Sequence, residues 1–214
     1  MRLRPLCLNI QFRHPQIHTR RPFLTFPGAE IIRLHERRIL PYSDTSVYRL
    51  ISDVDNYSKF LPYCQASRVT RWSTPDKDGK RWPVEADLTV GWSGIEEMYT
   101  SRLYCVPNRI VEALGGDAQT TIPRADLPHH AGVVVGEGKG SSMFKRLSTR
   151  WTVRPLQSTS NNAQTEVNLS IEFQFANPLY GTISKAVAPK LADVMITAFE
   201  GRAKALLDKQ NLRP

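Results

Sequence analysis

The chain has 214 residues and a formal net charge of +9 at pH 7, of which five positive charges are arginines in the first 29 residues and +4 remains for the body. That length fits one domain with a real core, and the scattered Lys and Arg of the body argue against the basic stripe of a nucleic-acid surface. No uninterrupted apolar run approaches the ~18 residues of a membrane-spanning helix, and Cys7, Cys64 and Cys105 lack the spacing of a zinc site or disulfide framework.

Residues 1–29 contain Arg2, Arg4, Arg13, Arg20 and Arg21, no acid, and spaced apolar residues such as Leu3, Leu6, Leu8 and Phe12. This is the composition of a mitochondrial targeting leader, expected to be disordered, although Pro5, Pro15 and Pro22 interrupt any long amphipathic helix. Residues 30–210 read as a single domain.

An early strand precedes a first helix that Asp44 can cap and that runs through Val47, Tyr48, Leu50 and Ile51; Asp53-Val54-Asp55 opens a second short turn. Strand patterns follow from Tyr63 to Trp72, through Trp82, Val84, Ala86, Leu88, Val90 and Trp92, then from Ile95 to Val106, Arg109 to Leu114 and Arg146 to Pro155. The strictest alternation is Val167, Leu169, Ile171, Phe173 and Phe175 with polar residues between, which demands a strand with one buried face. Turn residues at Pro75 to Gly79, Gly91 to Gly94 and Pro107-Asn108 make the connections short and the neighbours antiparallel.

Gly115 to Ser142 reads as a long, disordered surface insertion with His129-His130 at its middle, and Ser158 to Asn162 as a polar loop. Near the end, Ile183, Val187, Leu191, Val194, Met195, Ala198 and Phe199 recur at three and four and predict one face of a long helix, kinked or broken at Pro189. A long antiparallel sheet must cover its apolar face, and the C-terminal helix is the main cover available. From periodicity alone these faces read as a tightly packed core.

Chemistry-bearing motifs are sparse. The sequence contains no His-Glu-x-x-His, Gly-x-Ser-x-Gly or phosphate-cradling loop, and Gly136-x-Gly138-x-Gly140 lacks the strand and capped helix of a dinucleotide fingerprint. Of Glu96-Glu97 only one can face a cavity; Glu97 as a proton donor is less favoured than an ordinary strand carboxylate. No catalytic residue, metal site or catalytic cofactor is expected.

Arg37-Arg38-Ile39-Leu40-Pro41-Tyr42-Ser43, then Leu50 to Tyr57 and Phe60-Leu61-Pro62-Tyr63-Cys64, resemble the opening of the mitochondrial coenzyme Q-binding START-domain proteins, part of the wider polyketide cyclase-like group. Ala86 to Trp92, Glu97 to Arg102, Trp151, Phe173 to Tyr180 and Ala198 to Ala203 extend the resemblance over roughly Leu34 to Leu207. Bacterial relatives named ribosome-association toxins share several of these motifs.

The resemblance implies an α+β helix-grip fold (START/Bet v 1-like), a curved antiparallel sheet wrapped around the C-terminal helix, with a cavity that holds coenzyme Q (ubiquinone). On that fold the cavity candidates are Leu61, Tyr63, Leu88, Val90, Trp92 and Tyr99, then Trp151, Ile171, Phe173 and Phe175, and from the last segment Leu179, Ile183, Val187, Leu191 and Met195. Tyr63, Trp92, Tyr99 and Arg102 are the side chains by type suited to contact a quinone ring. The resemblance further implies a lipid chaperone or carrier for respiratory electron transport, peripheral on the matrix side of the mitochondrial inner membrane, with respiratory-chain complexes as candidate partners and no nucleic acid. A ribosome-associated RNA-binding module is the alternative, and a cyclase-like enzyme ranks third.

Overall fold

β1 (Ile32–Leu40) opens a computed structural model that describes residues 31–92, 94–133, 144–157, 163–177 and 181–211. The targeting-leader segment, Gly136 to Gly140, the Ser158 to Asn162 loop and Leu179 lie outside those residues. α1 (Asp44–Ser52) and a 3₁₀ turn (Val54–Lys59) follow, then β2 (Cys64–Trp72), β3 (Pro83–Trp92), β4 (Ile95–Val106), β5 (Ile110–Gly116), β6 (Phe144–Leu156), β7 (Gln164–Phe175) and α2 (Gly181–Asn211). Every neighbouring strand pair is antiparallel, and the seven strands lie in the order β1-β7-β6-β5-β4-β3-β2. β1 thus completes the far side of the sheet from β2, and α1 with its 3₁₀ turn carries the chain between the two edges.

Ser43, rather than Asp44, caps α1: its hydroxyl accepts from the Ser46 amide. Asp44 is the first helical residue, where its charge still complements the helix dipole. Val47, Tyr48 and Ile51 are buried, so one face of this short helix docks on the core.

α2 differs from its expectation twice. The break predicted at Pro189 is absent, since the helix runs unbroken from Gly181 to Asn211. Packing on the sheet offsets the cost of a missing backbone donor, on the order of 3 kcal/mol. The deepest stripe is also rotated from the one the larger residues mark: Ala188, Ala192, Ile196, Phe199, Ala203 and Leu207 are buried, whereas Leu191 and Met195 pack on the core half-buried. Arg38 of the edge strand anchors α2 from outside by pairing with Asp193 and Glu200.

The segment after β5 is only partly what composition suggests. Gly116 turns the chain at φ +56, and residues 117–133 then fold back on the outer face of the sheet, where Ile122 and Leu127 form a second small core with Val106 against Tyr104 and Ile110. Arg102 donates to the carbonyls of Gly116 and Ala118, and Arg150 bridges buried Glu112 and Thr121. The expectation of disorder fails over these residues because the outer face supplies apolar partners that alternation had assigned to solvent.

Candidate functional site

The concave face is set by strand alternation. On β4, Ser101, Leu103 and Cys105 point inward; on β5 and β6, Val111, Trp151 and Val153 do so; on β7, Val167, Leu169, Ile171 and Phe173 do so. Register aligns these positions into rows across the strands. Leu103 pairs with Ala113, Ala113 with Thr149, and Thr149 with Ile171. One step along, Gly115 pairs with Leu147 and Leu147 with Phe173, while on β3 and β4 Ala86 pairs with Ser101.

The centre of the face beside α2 is therefore built from Ser101, Ala113 and Thr149, residues too small to reach the helix, which presents Ala188 there. Small against small leaves a hollow, because close packing needs volume as well as apolarity. The result is a cavity of about 220 Å³ between sheet and helix. A single water needs only about 10–15 Å³ by the same kind of measure, so this is far more than a packing defect. The packed-core reading from periodicity is corrected here.

The floor is closed by aromatics. Trp151 and Phe199 have ring centroids 4.5 Å apart, and Tyr57 and Phe60 add edge contacts to Phe199 at 5.3 and 4.9 Å. At the other end a second aromatic cluster forms the neck, with Phe144 stacked on Phe175 at 5.4 Å and edge-on to Tyr99 at 5.5 Å. Pro62, Tyr63 and Gly91 also border the space, and the Gly91 amide donates to the Tyr63 carbonyl, tying the start of β2 to the β3–β4 hairpin.

Among the sequence candidates, Leu61, Tyr63, Leu88, Val90, Tyr99, Trp151, Ile171, Phe173, Phe175, Leu191 and Met195 all border this cavity. Trp92, Ile183 and Val187 lie in β3 and α2, with only their backbones described, and Leu179 lies outside the described residues. Arg102 does not border the space; its guanidinium is engaged by the segment after β5. Sequence reasoning missed Ser101, Ala113, Thr149, Phe144 and Cys64, which also border it. The signal for the first three was a set of small residues at inward positions on adjacent strands.

The wall is chemically quiet. Burial pushes the Tyr99 hydroxyl far up, with the nearby Cys64 adding to it, and burial also raises the Cys64 thiol. Tyr57 is likewise raised by burial and donates to the Ile51 carbonyl. Among the described residues no carboxylate or histidine borders the cavity, and Glu97 is not one of those that line it. Among the described residues no group of three or more His, Cys, Asp or Glu side chains is placed to hold a metal ion. Such a site can enclose an apolar molecule and offer it hydroxyls.

Residues 40–200 match the family model described as polyketide cyclase/dehydrase and lipid transport. The chain is 33% identical over 167 residues to the mitochondrial coenzyme Q-binding protein of Schizosaccharomyces pombe, covering 78% of this chain and 84% of that one. It is 27% identical over 184 residues to the ribosome association toxin of Escherichia coli K12, covering 85% and 94%. A START superfamily protein of Mycobacterium smegmatis shares the fold, with TM-score 0.58 at 15% identity over 81% of this chain and 98% of that one. With its seven-stranded antiparallel sheet gripping a C-terminal helix around a hollow, the chain belongs to the polyketide cyclase/dehydrase and lipid transport family, as a START-like relative of the mitochondrial coenzyme Q-binding proteins.

Proposed function

We propose that the protein binds coenzyme Q in the cavity between the concave sheet and α2, and serves as its carrier in mitochondrial respiratory electron transport, without catalysing a reaction. The observation that carries this reading is the apolar hollow itself, in a chain whose relative in Schizosaccharomyces pombe is named for coenzyme Q binding. Water exposure of a polyprenyl tail costs on the order of 4 kcal/mol per five-carbon unit, from ~0.8 kcal/mol per methylene, so the tail must pass from one apolar medium to another. Bilayer and cavity nearly balance in that respect, which allows both uptake and release.

The size of the hollow shapes the mechanism. A space of about 220 Å³ admits on the order of fifteen to twenty water-sized groups, enough for a substituted ring and a short length of tail. The rest of a long tail protrudes through the neck, and a protruding tail needs a lipid surface. Tyr63 and Met98 stay 40% and 58% exposed beside the β3–β4 hairpin, which supports contact with a lipid surface at that end; the membrane proposed is the mitochondrial inner membrane, on its matrix side. No helix among the described residues is long and apolar enough to cross a membrane. The N-terminal leader would supply the mitochondrial address, and respiratory-chain complexes are the candidate receivers.

Organic extraction and mass spectrometry of the protein purified from its own mitochondria tests the reading. Polyprenyl quinone near one per chain is the expected result. A protein free of quinone that co-purifies with ribosomal RNA would replace the carrier with a ribosome-associated role.

A further inference from the structure

Tyr99 borders the cavity and stands edge-on to Phe144, yet its hydroxyl donates to no protein group among the described residues. The side chain is enclosed by protein but keeps accessible area, as a group facing a hollow does. Tyr57, the other tyrosine held deep in this wall, spends its hydroxyl on the Ile51 carbonyl. A hydroxyl left unpaired in an apolar enclosure carries a desolvation cost that a bound acceptor removes.

Its surroundings define a subsite. Ser101 lies two residues along on the same face of β4, about 7 Å away by strand rise, and Thr149 lies on the wall two strands over. Tyr99 itself belongs to the neck cluster with Phe144, and Ser101 is the next hydroxyl inward from it, whereas register puts Thr149 further in, in the row of Leu103 beside Trp151. Of the four side chains suited by type to contact a ring, Arg102 is engaged elsewhere and Tyr63 stands at the exposed rim, while the side chain of Trp92 lies outside the described set.

Building on the carrier reading, we propose that the cavity binds its lipid headgroup first: the Tyr99 hydroxyl donates to a ring carbonyl on the inner side of the neck, and the polyprenyl tail leaves through the neck. A phenol hydroxyl can also accept, so the same group serves the hydroxyl of the reduced quinol. Tyr99 is then the residue that distinguishes a carbonyl-bearing polyprenyl lipid from a bare hydrocarbon of equal length.

The test compares wild type and Tyr99→Phe for affinity toward ubiquinone and toward a polyprenyl hydrocarbon of matched length, with infrared spectra of the bound quinone carbonyls. The expected result is a roughly fivefold to tenfold loss of quinone affinity, the range for one lost hydrogen bond, with hydrocarbon affinity unchanged. The low-frequency carbonyl band of the wild-type complex should shift upward in the variant. Equal losses for both ligands, or no loss and no shift, would overturn the headgroup subsite while leaving the carrier reading intact. A wild-type protein that binds neither ligand would instead remove the carrier reading.

Discussion

Trp151 of β6 and Phe199 of α2 meet at 62° with their centroids 4.5 Å apart, and this contact divides the space between sheet and helix into a filled half and a hollow half. Below it lies a cavity of only about 10 Å³; above it the wall turns to alanine, serine and threonine. Phe199 also contacts Tyr57 and Phe60, so Phe199→Ala removes the meeting point of four rings. We expect a loss of about 3–5 kcal/mol, the range for truncating a buried phenylalanine. Urea unfolding checks this, and a change under 1 kcal/mol would show that the floor repacks.

Leu191 borders the cavity without belonging to the deepest stripe of α2, which makes it a means of changing the site without removing the core. Leu191→Asp places a charge where a tail must lie, and quinone retained through purification should fall at least about tenfold, a difference of about 1.4 kcal/mol. Thr197→Asp, on the exposed side of the same helix, should retain quinone normally. A folded Leu191→Asp protein that holds as much quinone as wild type would remove α2 from the binding surface.

The alternation from Val167 to Phe175 made β7 and its buried face legible, because a period of two leaves one choice of side. The hollow was less legible for a physical reason: alternation reports which face is apolar, whereas vacancy depends on side-chain volume summed over neighbouring strands. Ala113 and Thr149 become adjacent only once β5 and β6 are in register. Likewise Ile122 and Leu127 show no period of their own, and their burial depends on Val106 and Ile110, which project from the face alternation assigns to water. Of the kink or break that Pro189 allows, the break is absent because packing along the sheet overrides local propensity.

Gly116 ends β5 in the left-handed region, and a Cβ there would sit 2.3 Å from the Lys145 carbonyl oxygen on the neighbouring strand. Gly116→Ala therefore combines left-handed strain of about 1–2 kcal/mol with a clash against backbone that cannot rotate away. The variant should lose more than about 2 kcal/mol, the sum of that strain and the repacking. The loss should centre on residues 117–133, because Asp117 donates to the same Lys145 carbonyl. Hydrogen exchange resolved by segment would show it; uniform protection in the variant would contradict the argument.

The same segment should loosen in acid. His130 stacks on Tyr104 at 5.5 Å, and burial, with the adjacent His129 second, holds its titration down to about 4. Burial also lowers His129, opposed by its hydrogen bond to the Cys105 backbone and by the charge of Asp76. The Nε2 atoms of both rings are buried without a partner, so an added proton would find no acceptor there. An unfolded histidine titrates near about 6.5, so between that value and about 4 the unfolded segment binds more protons than the folded one. Stability is therefore complete above pH ~6.5 and falls as the pH drops through that window. Exchange protection of residues 117–133 should be lower at pH 5 than at pH 8 after correction for intrinsic rates, while β7 keeps its protection. His130→Phe preserves the stack and removes the titrating group, so it should flatten most of that dependence; an unchanged profile in the variant would assign the acid response to another group.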